Sequence, residues 1–416
     1  MSNIAASIIT IGDELLIGQT IDTNSAWIAK QLNAQGIDLL RRVAVGDEKA
    51  AIVNALDQEI SRASLVIITG GLGPTADDIT KPLLLEYFGG KMRTDPRVLE
   101  HVMGIFAKRN RPVLERNVKQ ADVPDSCTVL FNRMGTAPGM WFEKDGKVII
   151  ALPGVPFEMV CIMEDEVLPR LLQRFSSDAI VHQSIITAGE GESFIAEKIQ
   201  DLEEALPTHI KLAYLPGPGM VKLRLTGKGA DAGVLSAEIS IHQAAIAARL
   251  QDIVIALEDI PMEQILHRWF TSHDMRLGLA ESCTGGCIAH HITQVPGSSA
   301  YFMGGIVCYN NAVKQQILGV KQQTLEQEGV ISEAAVTEMA QGAIKALGVD
   351  YSLAVTGLLG PADDSEKVPN GTVWMAVASA NEVQTKKFTF HYDRIRNKEI
   401  AVSMGMLMIL KFIRGK

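Results

Sequence analysis

Aromatic residues make up only 5% of the chain, and the five cysteines (127, 161, 283, 287 and 308) form no Cys-x-x-Cys pair. Such spacing excludes the disulfide framework of a small secreted protein, so a reducing, cytoplasmic setting is expected. Long hydrophobic runs are also missing. The longest late stretch, Met404 to Leu410, is too short for a bilayer and reads as one buried face of a terminal helix. Positive charge is in deficit, with a formal net charge of −9, which argues against a general nucleic-acid or acidic-membrane binder. No basic segment followed by an apolar one opens the chain, so no secretory leader is expected.

What is present is an ordinary aliphatic chain. It has 416 residues, 47% of them hydrophobic, enough for two to three domains at about 150 residues each. Ile4 to Ile11, Leu39 to Val45 and Leu65 to Thr69 read as buried strands, and helices are expected between them. That alternation implies βαβ units, a parallel sheet and helices on both faces.

The third strand runs into Gly70-Gly71-Leu72-Gly73-Pro74-Thr75-Ala76-Asp77-Asp78-Ile79-Thr80. Ligands of open α/β sheets bind beyond the carboxyl ends of strands, and glycines let backbone approach phosphates. Adjacent carboxylates beside a phosphate site suit Mg²⁺ or Mn²⁺. The same residues also suit a plain turn with acids at a helix start, and both readings stay open. Between Lys91 and Lys119 stand eight Lys/Arg and three Asp/Glu, either a solvated helix face or the lining of an anion site.

Residues 4 to about 170 resemble the N-terminal domain of the CinA family (competence/damage-inducible protein A), which is similar to the molybdopterin-binding fold. The resemblance is carried by Gly12-Asp13-Glu14-Leu15-Leu16, Asp22-Thr23-Asn24, Val45-Gly46-Asp47 and Thr69 through Asp78 with Thr80. Asn117, Lys119, Gln120, Gly135 to Gly139, and Leu152 to Pro156 with Glu158 add to it. It implies an ADP-ribose pyrophosphatase that needs a divalent metal (Mg, Mn or Co). Gly70, Gly71, Gly73 and Thr75 would then bind substrate, and Asp77, Asp78 and Asp13 would bind the metal.

Residues 176 to 258 read as a smaller unit with a Pro216-Gly217-Pro218-Gly219 turn between two strands and a long helix from about Val234 to Leu250. They resemble the KH-like connector of the same family. No GXXG loop stands at a helix–helix junction, so a spacer or dimerisation role is expected rather than nucleic-acid binding.

In the last third, an apolar run from Met275 to Leu279 leads into Ala280-Glu281-Ser282-Cys283-Thr284-Gly285-Gly286, and Cys287 to Val295 has helical periodicity. A hydroxyl and a thiol beside the N–H groups of a strand–turn–helix suit a nucleophile next to an oxyanion site, or simply a capped helix start. Tyr309 and Lys314 stand five residues apart across a second strand-to-helix junction. Lys314 can serve as a base only if its surroundings lower its pKa. Arg394 or Arg396 suits a phosphate. Cys283, Cys287, His290 and His291 lack zinc-finger spacing.

Residues 262 to 416 resemble the CinA C-terminal domain, the nicotinamide mononucleotide (NMN) deamidase family. The carrying residues are Ala280 to Gly286, Pro296 to Ala300, Tyr309, Asn311, Lys314, Thr356-Gly357, Gly371-Thr372-Val373 and Asp393-Arg394 with Arg396-Asn397. The resemblance implies Ser282 as nucleophile, assisted by Tyr309 and Lys314, with Cys283 as the competing nucleophile. Thr284, Gly285, Gly286, Thr356 and Arg394 would bind substrate, the backbone of 284–286 holding the oxyanion, and no cofactor is implied there. The chain departs from the family pattern at Gly360-Pro361-Ala362-Asp363-Asp364, Lys367-Val368-Pro369-Asn370-Gly371 and Tyr309-Asn310-Asn311.

The expected architecture is therefore α/β in three parts. They are a three-layer molybdopterin-binding-like domain (1–175), a small α+β KH-like connector (176–258) and a three-layer deamidase domain (259–416). Expected partners are NMN and ADP-ribose, without direct nucleic acid or membrane contact, in a homodimer. The alternatives are a pterin- or nucleotide-binding protein without turnover, and an interaction protein of DNA uptake or damage response.

Overall fold

The computed structural model describes residues 4–75, 78–175, 178–361 and 368–415. The chain divides into two compact units, residues 1–181 with 227–237 and residues 182–226 with 238–416.

The first unit contains, in chain order, β1 (Ala5–Ile11), α1 (Thr23–Ala34), β2 (Asp38–Val45), α2 (Lys49–Arg62), β3 (Leu65–Thr69) and α3 (Thr80–Phe88). There follow α4 (Pro96–Lys108), β4 (Thr128–Leu130), β5 (Gly139–Lys144), β6 (Lys147–Leu152) and α5 (Pro156–Ile162). The sheet order is β2-β1-β3-β6-β5-β4. Strands β2, β1, β3 and β6 are parallel, whereas β5 and β4 are antiparallel additions. The purely parallel expectation fails at that edge because Asp145-Gly146, both at positive φ (51° and 77°), forms a two-residue hairpin turn.

Successive side chains of a strand face opposite sides, and the two faces here pack separately. Ile8, Ile67 and Ile150 meet Ile28 and Leu32 of α1 and Met159 and Ile162 of α5. Ile9, Ile68 and Ile149 meet Ile52 and Leu56 of α2 and Leu83 and Leu84 of α3. Strands covered on both faces read as continuous β-branched runs, as Leu65 to Thr69 does.

The connector consists of β7 (Ala179–Ala188), α6 (Glu192–Glu204), β8 (Ile210–Gly217), β9 (Met220–Gly229), α7 (Ala232–Arg249) and β10 (Val254–Ala256). Its sheet order is β8-β9-β7-β10. Ile195 and Ile199 of α6, and Leu235, Ile239 and Ile246 of α7, are buried at helical spacing.

The last part begins with α8 (Met262–Ser272), β11 (Leu277–Glu281), α9 (Cys287–Thr293) and β12 (Phe302–Val307). It continues through α10 (Asn311–Gln316), α11 (Gln322–Gln327), α12 (Glu333–Leu347), β13 (Tyr351–Gly357), β14 (Thr372–Ser379), β15 (Val383–Thr389) and α13 (Arg394–Ile413). Its sheet order is β12-β11-β13-β14-β15, so β11 is an interior strand, parallel to both neighbours. Leu277 and Leu279 point to a core shared with Ile288, Leu353 and Leu410. Ala280 points to the opposite core, with Met339 and Ala354.

Candidate functional site

The carboxyl end of β11 carries the main site. Ser282 is still tied to the sheet, its N–H donating to Val355 O at 2.9 Å. The chain then turns through Gly285 (φ 63°) and Gly286 (φ 91°), left-handed conformations that favour glycine, and enters α9. On the neighbouring strand end, Cys308 N donates to Glu281 O at 2.8 Å. Asn310 caps α10 by accepting from Ala312 N at 2.8 Å. That cap places Lys314 beneath the turn.

Lys314 is 1% exposed, and its Nζ donates to Cys308 O at 2.8 Å and Ser282 Oγ at 3.1 Å. Burial pushes its pKa below the ordinary lysine value, opposed by the Cys308 and Cys283 thiols. Burial also pushes the Cys283 thiol up to about 12 and Cys308 to about 11. Neither thiolate forms near neutrality, whereas the Ser282 hydroxyl has an amine within hydrogen-bond reach.

Ser282 and Lys314 open into a cavity of about 540 Å³, together with Tyr309, Thr356 and Arg394. Exposed Tyr309 accepts through its Oη from Arg394 Nη2 at 2.9 Å. Arg394 is the first residue of α13, which Asp393 caps by accepting from Ile395 N and Arg396 N at 2.9 and 3.0 Å. Buried Asn397 donates to Leu359 O and Tyr392 O, 2.8 Å each, and so ties the 357–361 loop to this helix. Gly360 lies against Arg394; a Cβ there would stand 2.8 Å from Arg394 Cβ. Thr356 lines the cavity with its hydroxyl engaged, donating to Val330 O at 3.0 Å and holding the 329–331 wall. Arg396 stacks over Tyr392, 4.7 Å from the ring centre, and does not line the cavity.

Three expected substrate-binding residues, Thr284, Gly285 and Gly286, do not line this cavity. Gly285 N donates to Ser282 O at 3.1 Å and Gly286 N to Glu281 Oε2 at 3.0 Å, so neither amide is free for an oxyanion. Thr284 is buried. Cys283 does line the cavity, and its N–H has no backbone acceptor among the described residues. Altered-loop residues 362–367, Asp363, Asp364 and Lys367 included, lie outside the described residues.

The second candidate lies beyond β3, in a cavity of about 320 Å³ lined by Gly70, Gly71, Gly73, Asp78, Gln120 and Glu158, among others. Gly70 (φ 118°) touches the β1 end; a Cβ there would meet Ile11 O at 2.3 Å. Asp78 closes the glycine loop. Its Oδ1 accepts from Gly73 N (2.7 Å), and its Oδ2 accepts from Thr75 N (2.9 Å) and Thr75 Oγ1 (2.5 Å). Thr75 thus serves the loop and does not line the cavity. Asp13 likewise sits outside the lining. Its Oδ1 accepts from Asp47 N at 3.2 Å while Asp47 Oδ2 accepts from Asp13 N at 3.0 Å; Glu14 and Asp47 line the cavity instead. Asp77 lies outside the described residues.

A divalent metal was expected here. Among the described residues no group of three or more His, Cys, Asp or Glu could hold one. The carboxylates of Asp13 and Asp78 are engaged by backbone amides and only Asp78 lines the cavity, so the described residues do not fit a metal and no step is derived through one. The basic stretch does not line the cavity either. Lys119 pairs with Glu115, Arg93 with Asp95, and Arg97 stacks on Phe131.

Several residues whose roles the sequence does not reveal do shape this cavity. Asn24 bridges Thr69 Oγ1 (3.1 Å) and Gly154 O (2.8 Å). Glu158 is held by Asn132 Nδ2 at 2.7 Å, and burial raises its carboxyl pKa against that bond. Buried Lys81 donates to Gln120 O at 3.0 Å, and burial lowers its pKa to about 8. Asn24, Gln120 and Glu158 stand among the residues carrying the resemblance; Asn132 and Lys81 carry no local signal.

A chain with a serine–lysine pair at the end of a parallel strand, following a molybdopterin-binding-like domain, is an α/β protein consistent with a hydrolase role. Comparison with known families places it further. Residues 7–173 match the probable molybdopterin binding domain, 182–256 the damage-inducible protein CinA KH domain, and 259–413 the CinA C-terminal domain. A "CinA-like protein" of Flavobacterium psychrophilum is 42% identical over 98% of each chain. A "putative competence-damage inducible protein" of Caldicellulosiruptor bescii is 38% identical over 98% of this chain and 99% of its own. The crystal structure of "the protein CinA with unknown function" from Thermoplasma acidophilum aligns with 34% identity over 41% of this chain and 98% of that one, with a TM-score of 0.37. The chain belongs to the CinA family. No helix among the described residues is long and apolar enough to cross a membrane.

Proposed function

We propose that the C-terminal cavity hydrolyses the carboxamide of nicotinamide mononucleotide, giving nicotinate mononucleotide and ammonia. The observation that carries this reading is Lys314 Nζ, buried and 3.1 Å from Ser282 Oγ, in one cavity with Arg394. Lys314, favoured as the neutral amine, takes the Ser282 proton while Oγ bonds to the carboxamide carbon. The oxyanion that forms lies against the Cys283 N–H. As the C–N bond breaks, Lys314 returns the proton to the departing nitrogen, and ammonia leaves behind an ester on Ser282. Water, deprotonated by Lys314, opens that ester and restores Ser282. Tyr309 accepts from Arg394, so its own O–H is free to donate toward the substrate. Arg394 supplies a planar cation for the phosphate, which favours a nucleotide over a bare amide. Ammonia release from NMN by the wild type and its loss in Ser282→Ala test the assignment. Equal release by both would overturn it.

The N-terminal cavity takes the pyrophosphate of ADP-ribose against the Gly70, Gly71 and Gly73 backbone, and cleavage there to AMP and ribose 5-phosphate with a divalent metal is the reading implied by resemblance. A second reading, that this domain holds a nucleotide or pterin without cleaving it, is favoured by one observation: Asp13 and Asp78 are engaged by their own loops. AMP formation from ADP-ribose, with and without Mg²⁺, Mn²⁺ or Co²⁺, separates the two. Mass spectrometry of the purified protein for a bound pterin completes the test.

A further inference from the structure

Glu281 ends the interior strand β11 and is 1% exposed, yet it pairs with no lysine or arginine among the described residues. Its carboxylate is held by amides alone. Oε2 accepts from Gly286 N and Ile288 N, both at 3.0 Å, and Oε1 accepts from Ala289 N at 2.9 Å. These are N–H groups at the start of α9 that have no partner within the helix. Hydrogen bonds to an ionised acceptor are short and strong, and a buried set of three fixes a turn firmly.

The consequence falls on the next residue. On its N-terminal side Ser282 is fixed by its own N–H on Val355 O. On its C-terminal side the amides of Gly285, Gly286, Cys287, Ile288 and Ala289 all have acceptors, on Ser282 O, Glu281 Oε2, Thr284 O, Glu281 Oε2 and Glu281 Oε1. Of the turn residues that line the cavity, only Cys283 has an N–H without a backbone acceptor or a Glu281 oxygen on it among the described residues.

We propose that Glu281 is a positioning residue for Ser282. By stitching Gly286, Ile288 and Ala289 to the end of β11, it sets Ser282 Oγ on Lys314 Nζ and leaves the Cys283 N–H as the donor to the oxyanion. This inference rests on the serine-amidase reading and adds to it a residue that never touches substrate.

Glu281→Gln keeps the shape but puts an NH₂ against one of the three amides. Glu281→Asp keeps the charge but withdraws it by one methylene, and serves if the first variant does not fold. Two rates are measured on folded protein: ammonia release from NMN, and sulfonylation of Ser282 by phenylmethylsulfonyl fluoride, mapped by peptide mass. Both rates are expected to fall about tenfold to a hundredfold, with the KM for NMN within about threefold, because misplacement of a reacting group by an ångström costs that much. A merely structural role would change the melting temperature and leave kcat per folded molecule and the labelling rate alone. Wild-type rates in either folded variant overturn the proposal, as does a wild type whose Ser282 is never sulfonylated. A wild type that is sulfonylated but releases no ammonia, with labelling slowed in the variants, sinks the NMN reading and sustains the role of Glu281.

Discussion

At the end of β3 the carboxylate of Asp78 accepts from Gly73 N, Thr75 N and Thr75 Oγ1. At the end of β11 the carboxylate of Glu281 accepts from Gly286 N, Ile288 N and Ala289 N. Each glycine-bearing turn is therefore folded around one acid with three donors on it. Behind each lies a buried lysine whose pKa burial has lowered, Lys81 and Lys314. The two differ in what the lysine meets. Lys314 reaches a hydroxyl that opens into a cavity, whereas Lys81, among the described residues, donates only to the Gln120 carbonyl. A stitched turn and a desolvated amine together make a well-formed pocket, and a nucleophile placed on the amine makes it reactive. By this comparison the chemistry proposed for the C-terminal cavity draws on a serine and a lysine already in contact, whereas the described residues of the N-terminal cavity show no such pair.

Four substitutions sharpen that contrast. Lys314→Met is expected to lower kcat/KM for ammonia release about a thousandfold, the range of a lost general base. The wild-type profile carries the sign: if Lys314 acts as the neutral amine, as proposed, kcat/KM rises with pH as Lys314 loses its proton, through an inflection below the ordinary lysine value of 10.5. Arg394→Ala removes the cation for the phosphate. It is expected to raise the KM for NMN about tenfold to a hundredfold, a charge-assisted hydrogen bond's worth, with a smaller change in kcat. Asp78→Asn loosens the first turn. Calorimetry should show ADP-ribose binding weakened about tenfold, with ammonia release unchanged. Cys283→Ala removes a thiol held neutral at about pKa 12 and should change ammonia release less than about threefold. A large loss there would move the nucleophile and break the comparison.

Much of this was legible in the sequence, for physical reasons. Short apolar runs mark buried parallel strands, and both glycine-bearing turns follow such runs. Tyr309 and Lys314 bracket a strand-to-helix junction, which is why they reach the site together with Ser282. What stayed hidden depends on three-dimensional pairing. Glu281 reads as a polar strand end, and only the amides of α9 make its burial possible. Asp78 reads as a metal ligand, yet its own loop supplies the donors that occupy it. Thr284, Gly285 and Gly286 read as oxyanion donors because local spacing does not show which amides are already engaged. The 329–331 wall is fixed by Thr356 from 26 residues away, a contact that no local pattern announces. The antiparallel edge of the first sheet was hidden differently, since Asp145-Gly146 is a local signal outweighed by the βαβ alternation.

The most direct measurement is where the acyl group sits. Wild-type protein turning over NMN, quenched in acid and mapped by peptide mass, should carry a nicotinoyl-mononucleotide ester on Ser282, absent in Ser282→Ala. An adduct on Cys283 that survives Ser282→Ala would contradict the serine–lysine account.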